Sequence, residues 1–154
     1  MTLLMEIFFA VLGAAIGSFL NVLIYRLPEE QSIVSPASRC PRCGKAIRFY
    51  DNIPVISYIL LRGRCRDCGE RIAFRYPLVE AITAVFALLL FWKYGVTFQW
   101  LVSFAFICAL IVITFIDLDH QIIPDVISLP GIPIFLLAAV FVMKLRFLDA
   151  FLGF

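Results

Sequence analysis

The hydrophobic positions of this chain gather into four long blocks, roughly Ile7–Tyr25, Leu78–Trp92, Phe98–Ile116 and Val126–Met143. A helix needs about 20 mostly apolar residues to cross the hydrocarbon of a bilayer, and the blocks come near that length. The second is the shortest, and it ends at Trp92, a residue type that gathers where membrane meets water. The pattern predicts an all-α polytopic membrane protein with about four transmembrane helices. It divides the chain into a first helix (1–25), a polar loop (26–77) and a second membrane region (78–154). The residues before the first block include Glu6 and no Lys or Arg. That block therefore lacks the basic start of a signal peptide and reads as a retained span.

Composition agrees with this reading. Of 154 residues, 63% are hydrophobic and only 16% charged, too apolar a balance for a soluble domain. The formal charge of +2 conceals an asymmetry: ten of the 13 Lys and Arg residues lie between Arg26 and Arg75, leaving Lys93, Lys144 and Arg146 elsewhere. Basic residues in short loops beside spans stay inside, so the loop is expected in the cytoplasm and the N-terminus outside. Lys93-Tyr94-Gly95 is then an outer turn, and Asp117-Leu118-Asp119-His120 a cytoplasmic connection between the third and fourth spans. Lys144 and Arg146 fall outside against the rule, outweighed by the ten.

The loop carries two C-x2-C-G knuckles, Cys40-Pro41-Arg42-Cys43-Gly44 and Cys65-Arg66-Asp67-Cys68-Gly69. Each knuckle folds two thiolates toward one point, and its glycine permits the left-handed turn behind them. Together Cys40, Cys43, Cys65 and Cys68 form a zinc-ribbon-like tetrahedral set suited to structural Zn²⁺, with neighbouring arginines favouring the thiolates. Two disulfides are the competing reading, and a reducing cytoplasm disfavours it. Cys108 reads as a small packing residue inside the third span. The loop has the charge to meet nucleic acid but no interleaving of basic and aromatic residues, so lipid head groups are its expected anionic neighbours.

Ionisable groups at the end of a membrane helix are costly, which marks Asp117, Asp119 and His120 as candidate functional residues. Two facing carboxylates can hydrolyse a peptide bond, one activating water and the other protonating the carbonyl. Asp117 and Asp119 stand two apart and point in different directions on a helix, while Asp125 lies beyond Pro124. A catalytic Asp117 therefore needs a partner from elsewhere, and no second intramembrane acid on a suitable helix is expected in this chain. His120, three residues from Asp117, is open to an acid-base or metal role or to simple hydration at the interface. In the first span, Gly13 and Gly17 form a G-x-x-x-G face near Ser18 and Asn21. That face suits close helix packing, with Asn21 bonding across the contact, or a groove for a substrate helix.

Gly17-Ser18-Phe19-Leu20-Asn21-Val22 with Tyr25-Arg26-Leu27-Pro28 resembles the opening of the prepilin peptidases, or type IV leader peptidases, a family of membrane aspartic peptidases. Asp51-Asn52-Ile53-Pro54-Val55 with Ser57-Tyr58, then Leu61-Arg62-Gly63-Arg64-Cys65 and Arg75-Tyr76-Pro77-Leu78-Val79-Glu80, are similar to its cytoplasmic loop. Ile116-Asp117-Leu118-Asp119-His120, continuing to Ile123-Pro124-Asp125, resembles its first catalytic-aspartate motif.

The resemblance implies an inner-membrane endopeptidase that removes the basic leader of type IV prepilins or type II secretion pseudopilins. It also implies methylation of the new N-terminus with S-adenosylmethionine as donor. It gives Asp117 the first catalytic position and the four loop cysteines the metal positions. The family's second aspartate belongs to a G-x-G-D motif that is absent from residues 1–154, and Asp149 is in no such motif. The chain is accordingly expected to be a fragment, with a truncated gene or a separate second chain as alternatives, and inactive alone as a protease. The competing function is a zinc-stabilised membrane adaptor that binds prepilins or assembly partners without cutting them. Methyl transfer alone is a third reading, and no glycine-rich nucleotide fingerprint supports it.

Overall fold

The computed structural model describes residues 2–34 and 38–145, so Arg146 and Asp149 lie outside the described residues. Five α-helices are described: α1 (Leu3–Arg26), α2 (Ile56–Leu60), α3 (Arg75–Tyr94), α4 (Phe98–His120) and α5 (Asp125–Phe141). A 3-10 turn, Phe49–Asn52, precedes α2. The helices α1, α3 and α4 are long and apolar enough to cross a membrane. The fourth expected span is the 17-residue α5. At about 1.5 Å per residue that helix falls a little short of the roughly 30 Å hydrocarbon thickness. It also contains Pro130 and Pro133, which remove backbone donors from its interior.

The closest pairing is α1 on α3, and the glycine face sets it. A Cβ on Gly13 would lie 2.7 Å from the Ala87 Cβ and 2.8 Å from the Ala84 Cα. The face is thus filled by α3, as expected for helix packing, and is not an open groove. Fully buried Thr83 sits in this seam, its hydroxyl satisfied by the Val79 carbonyl at 2.7 Å. Helix α4 packs across both partners, and α5 leans on α4. At one end Phe9 stacks on Phe91 at 4.3 Å, and the Trp100 indole N–H donates to the Ala87 carbonyl at 3.1 Å. Cys108 is buried on α4, in the packing role expected for it. Apolar residues left exposed on α1 and α5, such as Leu4, Val11, Val126, Leu129 and Leu137, suit a lipid surround.

Helix ends follow local chemistry. Gly95, at φ 65°, stops α3 with its N–H on the Phe91 carbonyl, and the Thr97 hydroxyl caps α4 by accepting from Trp100 N–H. At its other end α4 runs four residues past the expected boundary. Asp117–His120 is therefore the last turn of the helix and not the connection, which is Gln121–Pro124. Gln121 adopts φ 54° and donates to the Asp117 carbonyl at 2.8 Å, closing the helix in a left-handed cap.

Candidate functional site

At the opposite end from the aromatic cluster, the chain between α1 and α3 folds into a four-cysteine module. Its two knuckles repeat one backbone pattern at a 25-residue offset. Gly44 N–H donates to Cys40 O and Gly69 N–H to Cys65 O, both at 2.9 Å. Cys40 N–H and Cys65 N–H donate in turn to Lys45 O and Glu70 O. Gly44 and Gly69 have φ near 70°, as the expected left-handed turn requires. Single antiparallel bridges, Arg39 to Ala46 and Arg64 to Arg71, close each knuckle. Between them run two ion pairs, Arg42 to Glu70 and Lys45 to Asp67, which the sequence reading missed.

This places the four sulfurs together. All lie within 4.8 Å of one another, and Cys40 Sγ is 3.7 Å from Cys68 Sγ. Four thiolates about 2.3 Å from a tetrahedral zinc would stand about 3.8 Å apart, so donor set and spacing both fit a metal ion. No disulfide links the described cysteines, all of which are free. The Cys43 and Arg42 amides lower the Cys40 thiol to about 7. At Cys68 the Glu70 amide also lowers the thiol, but desolvation and the three other sulfurs outweigh it and push the thiol up to about 12. A dication among the four sulfurs would favour their thiolate forms.

The loop after the first knuckle ties the module to the spans. Asp51 takes a bidentate bond from Arg66, with Nη2 to Oδ1 at 2.6 Å, and the guanidinium holds its carboxyl below the usual range. Buried Ser57 accepts from Ile53 N–H and donates to Tyr50 O. Val55 then adopts φ 61° and ψ −47°, with Ile56 N–H bonded to Pro54 O at 2.6 Å. This is a γ-turn of the strained positive-φ kind, unusual for a β-branched residue. Val55 N–H donates to Glu80 Oε2 at 2.7 Å.

Glu80 is a buried acid that the sequence does not mark as a partner for Asp117. It lies near the start of α3 with 8% exposure, and one acidic letter within the block Leu78–Trp92 was the signal for it. Asn21 does bond across the α1–α3 contact, Nδ2 donating to Tyr76 O at 3.0 Å.

The α4 carboxylates sit elsewhere. Asp117, Asp119 and His120 are exposed in the last turn of α4, and Asp125 is exposed at the first position of α5. Asp119 is paired with Arg75 at the start of α3. No described residue forms an ion pair with Asp117. A cavity of about 550 Å³ opens between the ends of α1 and α3 and the module, and it is lined by Asn21 and Glu80 but not by Asp117.

Residues 11–94, from α1 through the module to the end of α3, match the family described as Bacterial Peptidase A24 N-terminal domain. Residues 104–154 match the Type IV leader peptidase family. The chain belongs to this leader peptidase family. Among its curated relatives, a prepilin leader peptidase/N-methyltransferase of Myxococcus xanthus is 46% identical over 128 residues, covering 83% of the chain and 38% of the relative. One of that name from Pseudomonas putida is 38% identical over 165 residues, covering 93% and 57%. Another, from Neisseria gonorrhoeae, is 40% identical over 145 residues, covering 79% and 51%. The chain spans about half the length of the curated relatives it matches. No solved structure matches it.

Proposed function

We propose that this chain carries the metal module and the first catalytic carboxylate of an endopeptidase that removes the basic leader of type IV prepilins or type II secretion pseudopilins. The observation that carries the reading is Asp117, exposed at the end of α4 and without an ion pair among the described residues, inside the segment that matches the leader peptidase family. In such an enzyme one carboxylate takes a proton from water as it attacks the scissile carbonyl, and the other donates a proton to the carbonyl oxygen. Asp119, about 200° further round the helix and engaged by Arg75, does not face Asp117. The second carboxylate has to reach Asp117 from outside residues 1–154, in the G-x-G-D motif that the family resemblance implies.

The density of basic residues between Arg26 and Arg75 supports a module on the cytoplasmic side of a bacterial inner membrane, with the N-terminus outside. The Arg75–Asp119 pair brings the end of α4 to the same side. Zn²⁺ held by Cys40, Cys43, Cys65 and Cys68 has a full set of thiolates and no open position, so it serves as scaffold. S-adenosylmethionine, the implied donor, supplies the methyl group for the new N-terminus when bound.

The test is leader removal from a co-expressed prepilin, with the G-x-G-D region supplied. Asp117→Ala eliminates processing, whereas Asp119→Asn retains it. Equal processing by wild type and Asp117→Ala overturns the assignment and leaves a binding adaptor as the function.

A further inference from the structure

The cavity between the spans and the module has the size of a ligand site, within the usual range of about 300–1,000 Å³. Its span-side wall carries the oxygen-bearing side chains of Ser18, Asn21 and Tyr25 from α1 and of Tyr76 and Glu80 from α3. Asn21 is only 4% exposed. Its Nδ2 is spent on the Tyr76 carbonyl, which fixes the amide orientation, because the flipped amide would set two oxygens face to face. Asn21 Oδ1 is buried with no hydrogen-bond partner. An orphaned buried acceptor is rare in a folded protein and asks for a donor.

Glu80 asks for the same thing more strongly. Its carboxyl accepts from Val55 N–H, yet no described residue forms an ion pair with it. A buried carboxylate is stabilised by a cation in contact with it. Six basic side chains also line the cavity. Lys45, Arg48 and Arg66 are engaged by Asp67, Tyr50 and Asp51, Arg26 donates to the Ser32 carbonyl, and among the described residues neither Arg39 nor Arg71 forms an ion pair with Glu80. The strained γ-turn at Val55 aims one N–H at this carboxylate, and such strain collects at binding sites.

We propose that this cavity binds a primary ammonium group, held by Asn21 Oδ1, the Glu80 carboxylate and the Ser18 hydroxyl. Three oxygens match the three N–H donors of an ammonium, whereas a guanidinium presents five in a flat fork. For a peptide-processing protein the ammonium is a peptide N-terminus or a lysine side chain. Only that choice of ligand rests on the proposed function.

The experiment is calorimetric titration of the zinc-loaded full chain in nanodiscs with three peptides of one apolar sequence. One has a free N-terminus, one is N-acetylated, and one is N-acetylated with a single lysine. The free-amine peptide is expected to bind at least about tenfold tighter than its acetylated form. Restored affinity with the lysine peptide assigns the site to side-chain ammonium, and its absence assigns it to the N-terminal amine. Glu80→Gln keeps an acceptor for Val55 N–H, and it is expected to abolish the preference while retaining zinc. Equal binding of free and acetylated peptides by wild type overturns the proposal whether or not the variant folds. So does a preference that survives in zinc-retaining Glu80→Gln. Failure of leader cleavage in the separate processing assay overturns the peptidase reading alone.

Discussion

A Cβ on Gly17 would come within 2.7 Å of the Glu80 Cα and 3.1 Å of the Thr83 side chain. The missing methyl is therefore what lets Glu80 sit against α1. Gly17→Leu is expected to destabilise the helix pair by about 1–3 kcal/mol, the usual cost of overpacking, as read by unfolding in mixed micelles. Val55 presents the opposite case, a side chain where none is wanted. At φ 61° a β-branched residue is strained, so Val55→Gly is expected to leave stability unchanged or to raise it by up to about 1 kcal/mol in the same assay. These residues differ in how far the sequence reveals them. Gly13, Gly17 and the four cysteines announce themselves by spacing alone. The burial of Glu80 and the twist at Val55 depend on a contact between residues 25 positions apart, which no local pattern encodes.

Helix α4 places two acids in one turn and gives them different surroundings. Asp119 is tied to Arg75 across to α3, with side-chain exposures of 37% and 24%. Such a partly exposed pair contributes about 0–1 kcal/mol, so Asp119→Asn is expected to alter thermal stability by no more than that. Asp117→Asn, by contrast, is expected to leave stability intact and abolish leader processing. The existence of α1, α3 and α4 was legible because their apolar blocks match the membrane. The true end of α4 was not, because polar residues extend the helix until Gln121 turns left-handed, and a polar letter gives no warning of that conformation. Nor do α5's apolar residues reveal that its helix stops at 17 residues.

At the scale of the whole molecule, Arg66 of the second knuckle holds Asp51 of the loop, and Val55 of the same loop bonds Glu80 of α3. Metal removal should therefore be felt beyond the cysteines. Chelation, or Cys65→Ser, is expected to abolish stoichiometric zinc and to expose amides of residues 48–57 to hydrogen exchange, while α3 and α4 remain protected. Retained protection of that loop after metal loss would show that it folds independently of the knuckles.

The ion pairs between the knuckles bear on how this protein behaves when crowded into two dimensions. Arg42 and Lys45 of the first knuckle occupy the positions that Asp67 and Glu70 hold in the second, and each basic residue meets an acidic one crosswise. Were two copies to share a metal through their first knuckles, Arg42 would confront Lys45. Two second knuckles would set Asp67 against Glu70. Like knuckles of neighbouring molecules are thus repelled from sharing a metal, and the four-thiolate site is directed to combine one first knuckle with one second knuckle.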